Sequence, residues 1–136
     1  MNARLYAELF ERLTPDRIEN FDEVYAADAR FRDPFNDVRG VAAIQRVFRH
    51  LFEQCDDPRF EVREIVEQAE LAYMHWVFRF RRGTRAHQVD GVSRVQFGSD
   101  EMVVSHLDFW DSALLYDTLP LVGRLTRWLR RRIGSN

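Results

Sequence analysis

The chain has 136 residues and is rich in aromatic side chains, which predicts one domain with a large apolar interior. A net charge of −2 argues against a nucleic-acid surface, and the single cysteine, Cys55, excludes an internal disulfide and a cysteine-built metal site. No apolar core of signal-peptide length and no run of about 18 apolar residues is present, so we expect a cytoplasmic protein.

The first half of the chain has apolar residues at helical spacing. Thr14 before Pro15 is a typical helix start, and Pro34 ends a short predicted strand over 30–33, because proline cannot donate to a sheet ladder. The segment 36–40 is predicted to be a loop. The first helix carries the apolar stripe Leu5, Leu9, Phe10 and Leu13. The predicted helices cover about 3–13, 15–27 and 41–54.

From about residue 60 the apolar period changes from 3.6 to 2, which predicts strands instead of helices. A slip of one residue would turn every side chain to the opposite face, so the heavier apolar series on each strand is expected to point inward. The predicted strands cover about 60–68, 71–82, 86–97 and 102–110. The inward series are the even residues from Met74 to Phe80, the odd residues from Val89 to Phe97, and the even residues from Met102 to Trp110.

The tail over 112–133 has a helical pattern, with an expected interruption near Pro120 and Gly123. It combines an apolar stripe with a face of arginines. Such a helix either packs over the body or a dimer seam with its arginines in water, or lies on an anionic membrane surface. The whole pattern predicts one α+β domain over 1–136, with a core at about 3–112 and a helical extension over 113–136.

Three segments carry a resemblance to a known group of proteins. Val24–Pro34, Gly40–Ile44 and Val103–Trp110 resemble the corresponding segments of ketosteroid isomerases and polyketide cyclase-like proteins of the nuclear transport factor 2-like superfamily. The resemblance implies a cystatin-like cone, in which three N-terminal helices pack on a strongly curved antiparallel sheet. It also implies an apolar pocket inside the cone and a homodimer formed through the outer face of the sheet.

Asp33 is similar in position to the general base of ketosteroid isomerases. In an apolar pocket, desolvation would raise its pKa, as a base working near neutral pH requires. The alternative is a turn residue that binds the local backbone before Pro34.

His106 and Asp108 lie two residues apart on one strand, so both point to the same side of the sheet. Together with Asp33 they form a candidate catalytic acid–base set. Two alternatives are open: a structural hydrogen bond between His106 and Asp108, or a metal site formed by the three residues.

The oxyanion hole of the steroid isomerases is not carried over. Leu9 stands near the position of its tyrosine and Ser93 near that of its second aspartate, and leucine donates no hydrogen bond. Tyr6, one turn from Leu9, is only a weak substitute. The resemblance therefore does not imply an authentic steroid isomerase.

The function expected from the sequence is binding of an apolar lipid, polyketide or sterol-like carbonyl compound. An isomerase, cyclase or hydrolase acting by proton transfer is one form of it, and no cofactor or metal is predicted. The alternative is a non-catalytic ligand-binding or dimerisation module whose basic C-terminal helix contacts a partner or membrane. The predicted pocket-lining residues are Met74, Trp76, Phe78, Phe80, Ser93 and Trp110.

Overall fold

The computed structural model describes residues 1–116 and 120–135 and confirms the predicted α+β class. Helices at the N-terminus pack on one face of a curved six-stranded sheet, and two helices follow the last strand. In chain order the elements are α1 (Ala3–Glu11), a 3₁₀ helix (Pro15–Glu23), β1 (Tyr25–Arg32), β2 (Asp37–Arg39), α2 (Val41–Gln54), β3 (Asp56–Gln68), β4 (Leu71–Arg82), β5 (Arg85–Phe97), β6 (Val103–Trp110), α3 (Ala113–Tyr116) and α4 (Pro120–Ile133).

The sheet has the strand order β2-β1-β6-β5-β4-β3 and is mixed, whereas the sequence predicted antiparallel pairing throughout. β1 and β6 run parallel, with Phe31 opposite His106, and all other neighbours are antiparallel. The parallel pair joins the first strand of the chain to the last. It therefore brings the N-terminal and C-terminal halves of the chain together at the centre of the sheet.

Register shifts interrupt three of the strand pairs, and such bulges bend a strand and increase its twist. One lies between Val62 and Glu64 in β3, and another between Gln96 and Phe97 in β5. β3 begins at Asp56, earlier than predicted, and includes Pro58. The proline is tolerated because β3 is an edge strand of the sheet.

The second predicted helix is shorter than expected. It is a 3₁₀ helix that ends at Glu23, and the helix-favouring segment up to Ala27 belongs to β1 instead. The Val103 backbone N–H donates to the Val24 carbonyl (2.9 Å), and Tyr25 pairs with Val103. Pairing with β6 thus overrides the local helix propensity.

The predicted loop over 36–40 contains β2, which pairs with the end of β1. The Arg30 guanidinium donates to both carboxylate oxygens of Asp37, at 2.9 and 2.8 Å, across this pair. Gly40 follows in a positive-φ conformation (φ 92°), which suits glycine, and its N–H donates to the Ala29 carbonyl (2.9 Å) before α2 starts.

α1 begins at an Asn2 cap, whose side chain accepts a hydrogen bond from the Leu5 N–H (2.9 Å). Its buried face differs from the predicted stripe, because Leu5 is 52% exposed whereas Tyr6 is completely buried. The central core lies between the helices and the inner face of the sheet. Its largest fully buried members are Tyr6, Ile18, Phe21, Tyr25, Phe31, Ile44, Val95 and Val103.

The C-terminal extension consists of α3 and α4 among the described residues. The interruption expected near Pro120 lies partly outside the described residues, and α4 runs through Gly123 without a break. Within the described part of the chain, no helix is both long and apolar enough to cross a bilayer.

Candidate functional site

A chain of buried hydrogen bonds runs through the inside of the cone. The Tyr25 and Tyr6 hydroxyls are 2.6 Å apart, and the Tyr6 hydroxyl lies 2.8 Å from His106 Nδ1. His106 Nε2 lies 2.6 Å from Asp108 Oδ1. The same carboxylate oxygen accepts from the Ser93 hydroxyl, and Ser93 accepts from Trp76 Nε1–H (2.7 Å).

The fold fixes this chain through strand register. Ser93 faces Asp108 across the β5–β6 pair, and Phe31 faces His106 across the β1–β6 pair. The Phe31 ring stacks on the imidazole with centroids 4.8 Å apart and planes at 27°. His106 is therefore held in the core by a ring on one side and hydrogen bonds at both nitrogens.

One arrangement of protons satisfies every contact of this hydrogen-bond chain. Indole N–H can only donate, so Ser93 accepts from Trp76 and donates to Asp108. If His106 is neutral with its proton on Nε2, it donates to Asp108 and accepts from Tyr6, which in turn accepts from Tyr25. In this arrangement Asp108 Oδ1 accepts two hydrogen bonds, one from His106 and one from Ser93.

Both tyrosines remain protonated over the ordinary pH range. Burial is the main cause that raises the pKa of Tyr6 well above its usual value, and the neighbouring Tyr25 and Asp108 add to it. Burial likewise raises the pKa of Tyr25. Tyr6 can therefore act as a permanent hydrogen-bond donor to His106.

Gly91 makes room for the indole of Trp76, which it faces across the β4–β5 pair. A Cβ added at Gly91 would lie 2.3 Å from two indole carbons. The close approach lets the indole N–H reach the Ser93 hydroxyl. Glycine at this position is thus part of the geometry that orients Asp108.

Two adjoining cavities lie beside this hydrogen-bond chain. The inner one is small, about 40 Å³, and the larger one has a volume of about 400 Å³, within the size range of small-molecule sites. Asp108 and Trp76 line both. Among the other predicted residues, Met74, Ser93 and His106 line the inner cavity, and Asp33, Phe78, Phe80 and Trp110 line the larger one.

Asp108 presents its two oxygens differently. Oδ1 is bound by His106 and Ser93, whereas Oδ2 has no hydrogen-bond partner among the described residues. No buried side-chain oxygen in that part of the chain lacks a partner, so Oδ2 must be accessible from the cavity. The Asp108 side chain is 14% exposed. One oxygen of this carboxylate is oriented by the protein and the other faces the cavity.

Asp33 lines the larger cavity but is held by its own neighbours. Its Oδ1 accepts from the backbone N–H groups of Phe35 (2.7 Å) and Asn36 (2.8 Å) and from Asn36 Nδ2 (3.0 Å). Its Oδ2 accepts from Asn36 Nδ2 at 3.1 Å. These contacts are those of the turn alternative, made at the edge of a cavity whose lining is largely aromatic.

The larger cavity reaches the surface at a rim of mixed chemistry. Phe35, half exposed, contacts the rings of Trp110 and Tyr116 edge-on at 5.5 and 6.0 Å. Cys55 also lines this cavity, and partial burial raises the pKa of its thiol, against the opposing charge of Arg82. The thiol is therefore a poor nucleophile at neutral pH.

The metal alternative has no support in the geometry. Among residues 1–116 and 120–135, no cluster of three or more His, Cys, Asp or Glu side chains could hold an ion. His106 directs both nitrogens to Tyr6 and Asp108, so neither nitrogen is available as a ligand.

The sequence predicts Asp108 as a partner of His106, but not Tyr6 or Phe31. Tyr25, which contacts Tyr6, falls within the second predicted helix, and Phe31 falls within the short predicted strand over 30–33. The signal available was parity, because Phe31 and Asp33 share a strand face, and a buried histidine needs partners at both nitrogens. Parity alone does not show which strand lies beside β6.

A curved sheet packs on the N-terminal helices, and an apolar cavity lined by Asp108 lies inside the fold. This arrangement is that of the nuclear transport factor 2 and ketosteroid isomerase-like fold. The SnoaL-like domain family matches residues 6–106, and the chain belongs to this family. The matched range includes Tyr6, Asp33, Ser93 and His106 and ends two residues before Asp108.

Solved structures share the fold at low sequence identity. A protein from a Jannaschia species, assigned as a SnoaL-like polyketide cyclase, is 14% identical with a TM-score of 0.69, covering 86% of this chain and 91% of its own. A protein from Acidithiobacillus ferrooxidans, assigned as a polyketide cyclase, is 16% identical with a TM-score of 0.67, covering 85% and 90%.

A hypothetical protein from Catenulispora acidiphila has a ketosteroid isomerase-like fold and was solved in complex with trimethylamine. It is 11% identical with a TM-score of 0.70, covering 82% of this chain and 85% of its own. No curated protein matches the chain.

Proposed function

We propose that this chain binds an apolar carbonyl compound in its larger cavity and moves a proton on it, with Asp108 as the general base. The accessible Oδ2 of Asp108, on a carboxylate oriented through Oδ1, is the observation that carries the proposal. An oriented carboxylate with one free oxygen above an apolar cavity is suited to removing a proton from carbon.

His106 would act on the proton-transfer step through Asp108. While Asp108 is ionised, His106 Nε2–H donates to it, and after Asp108 has taken a proton the same bond steadies the neutral acid. Tyr6 holds the ring in this tautomer from the other side. The proton then returns to the substrate at carbon or oxygen, so the residues end the cycle unchanged.

The site favours a substrate whose proton is already acidic. The paired oxyanion donors of the steroid isomerases are missing, because Leu9 and Ser93 stand near their positions and Tyr6 donates to His106. A carbon between two carbonyl groups forms an enolate that stabilises itself. Compounds with a 1,3-dicarbonyl unit, the chemistry of polyketide chains, therefore suit this cavity better than simple ketones, and the relatives assigned as polyketide cyclases agree with this choice.

In this proposal Asp33 is not the general base that the sequence suggested. Three donors engage its Oδ1 and one engages its Oδ2, so it is less available than Asp108. Its position on the cavity fits a polar contact to the ligand near the rim.

The test uses benzoylacetone, a 1,3-diketone with an aromatic ring. Its enol is injected into buffer with the protein, and the return to the keto form is followed by the loss of ultraviolet absorbance. Asp108→Asn keeps the side-chain shape and should slow the protein-dependent rate by roughly 100-fold or more, as expected for loss of a general base. Asp33→Asn is the matched variant, and it should slow the protein-dependent rate by far less than the roughly 100-fold expected for Asp108→Asn.

A rate with the wild-type protein no higher than with Asp108→Asn would reject proton transfer. If benzoylacetone still perturbed the tryptophan fluorescence in that case, with Trp76 and Trp110 lining the cavity, the non-catalytic binding module would be the better description. Circular dichroism of each variant shows that it is folded.

We also propose that the outer face of the sheet pairs two copies of the chain. This face carries exposed apolar side chains among engaged charges, such as the Arg79–Glu61 pair (2.8 Å). The apolar members include Tyr73, Val92 and Phe109. Sedimentation equilibrium of Val92→Arg against the wild type tests this, and a wild-type monomer at all concentrations would reject it.

A further inference from the structure

Most of the apolar face of α4 is exposed. Gly123 is buried and Thr126 is half-buried, and only one edge of the apolar face, at Leu129 and Ile133, lies beside Ala113 of α3. At about 100° per residue the large apolar side chains fall within an arc of roughly 140°, which also contains Arg132 near the end of the helix. They are Leu121, Val122, Leu125, Trp128, Leu129 and Ile133, with exposed fractions from 40% at Leu129 to 80% at Ile133.

α1 shows what a covered apolar face looks like in the same molecule. Its Ala3, Tyr6, Ala7 and Phe10 are at most 8% exposed. α4 also has amphipathic spacing, but the described residues of the body cover its apolar face far less, leaving each large apolar side chain at least 40% exposed. An interpretation in which α4 packs this stripe over the cone does not agree with these exposures.

The charge of α4 differs from that of the rest of the chain. The helix contains five arginines and no aspartate or glutamate. Setting these aside leaves 15 basic against 22 acidic residues elsewhere, a net charge of −7, so the remainder is acidic. Positive charge is therefore concentrated on the one element whose apolar face is exposed.

We propose that α4 docks the protein on anionic phospholipid surfaces. Its apolar arc would enter the boundary between headgroups and acyl chains. The guanidinium groups of Arg124 and Arg131 beside the arc would bind lipid phosphates, and the long side chain of Arg132 would reach them from within it. Trp128 suits this boundary, since its ring is apolar and its N–H is polar. Pairing with α4 of a second copy is disfavoured, because that would bring ten arginines together without an acid in either helix.

Docking would also orient the cavity. Arg130 of α4 lies 3.4 Å from Asp111, directly after β6, and Leu115 of α3 lines the larger cavity. Tyr116 contacts Phe35 at its rim. The helix that binds lipid would thus stand beside the cavity mouth, where an apolar ligand can pass from the bilayer. The docking itself does not depend on the proposed reaction.

The experiment is co-sedimentation of the full chain with phosphatidylcholine vesicles, with and without phosphatidylserine. The wild type should bind only the anionic vesicles, and added salt should release it. Arg124→Gln/Arg131→Gln/Arg132→Gln should weaken partitioning roughly 100-fold, since each arginine near such a surface contributes about fivefold. The control Arg4→Gln/Arg12→Gln/Arg17→Gln makes the same change in net charge elsewhere and should retain binding.

A second pair of variants tests the apolar arc. Leu125→Ser/Trp128→Ser should lose binding, whereas Leu5→Ser/Val66→Ser, at exposed positions on other elements, should retain it. Absence of wild-type binding to anionic vesicles overturns the proposal. So does equal loss in both charge variants, which would indicate general electrostatics. If the α4 variants instead dissociate a dimer in sedimentation equilibrium and leave lipid binding intact, the helix is a self-interface and the proposal is wrong.

Discussion

The inner and outer ends of the cavity hold their carboxylates by different means. At the inner end, Asp108 is bound by His106 and Ser93, which in turn rest on Tyr6 and Trp76 from other elements. At the rim, Asp33 is bound by Phe35 and Asn36 of its own turn. The position of one acid depends on the whole fold, and that of the other on a local turn. Substitutions at the inner end should therefore lower the stability of the fold more than substitutions at the rim.

The sharpest test of this contrast is Tyr6→Phe. It leaves His106 Nδ1 and the Tyr25 hydroxyl buried without a partner, and we expect a loss of about 3 kcal/mol in the free energy of unfolding, measured with urea. Tyr116→Phe at the rim is the matched control and should change it by less than about 0.5 kcal/mol. Similar losses in both variants would contradict the contrast.

Alkaline pH tests the same inner network without a mutation. Because the folded protein raises the pKa of Tyr6 and Tyr25, the unfolded chain loses protons first, and stability must fall as pH rises above about 10. The expected slope is about 1.4 kcal/mol per pH unit for each tyrosine, until the folded-state pKa is reached. Tyr25→Phe should remove the contribution of one tyrosine to the slope of stability against pH. An unchanged slope in that variant would show that burial does not raise the pKa of Tyr25.

The smallest expected effect belongs to the rim. Asp33→Ala removes the acceptor of two backbone N–H groups in an exposed turn. We expect the free energy of unfolding to fall by about 1 kcal/mol, which is less than the loss expected for Tyr6→Phe. Hydrogen exchange should show faster opening around Phe35 and Asn36 only. Accelerated exchange in β6 would mean that the rim is coupled to the inner end.

The periodic parts of the chain were predictable. Alternation along β4 and β5 identifies their inward faces, and Trp76, Phe78 and Val95 are buried as the pattern predicts. Side-chain parity is a local property, so it survives without knowledge of the partner strand.

Alternation along the strands does not predict that Tyr6 is a partner of His106, or that Tyr25 lies in the sheet. Ranking by hydrophobicity favours Leu5, yet Tyr6 is buried because its hydroxyl completes a hydrogen-bond chain that only the tertiary structure shows. Likewise, Tyr25 follows a helix-like sequence but joins the sheet through pairing with β6, about eighty residues away in the chain. Long-range pairing determines both, and a local pattern contains no information on it.

The parallel pair of β1 and β6 has a consequence for how the molecule is made. Phe31 and His106 can meet only after synthesis has passed Trp110, and the loop that their pairing closes spans most of the chain. Such non-local closure slows folding. A nascent chain that ends before Val103 lacks the strand that pairs with β1 and the His106 ring that stacks on Phe31, so this edge of β1 remains unpaired on the growing polypeptide until the final strand emerges.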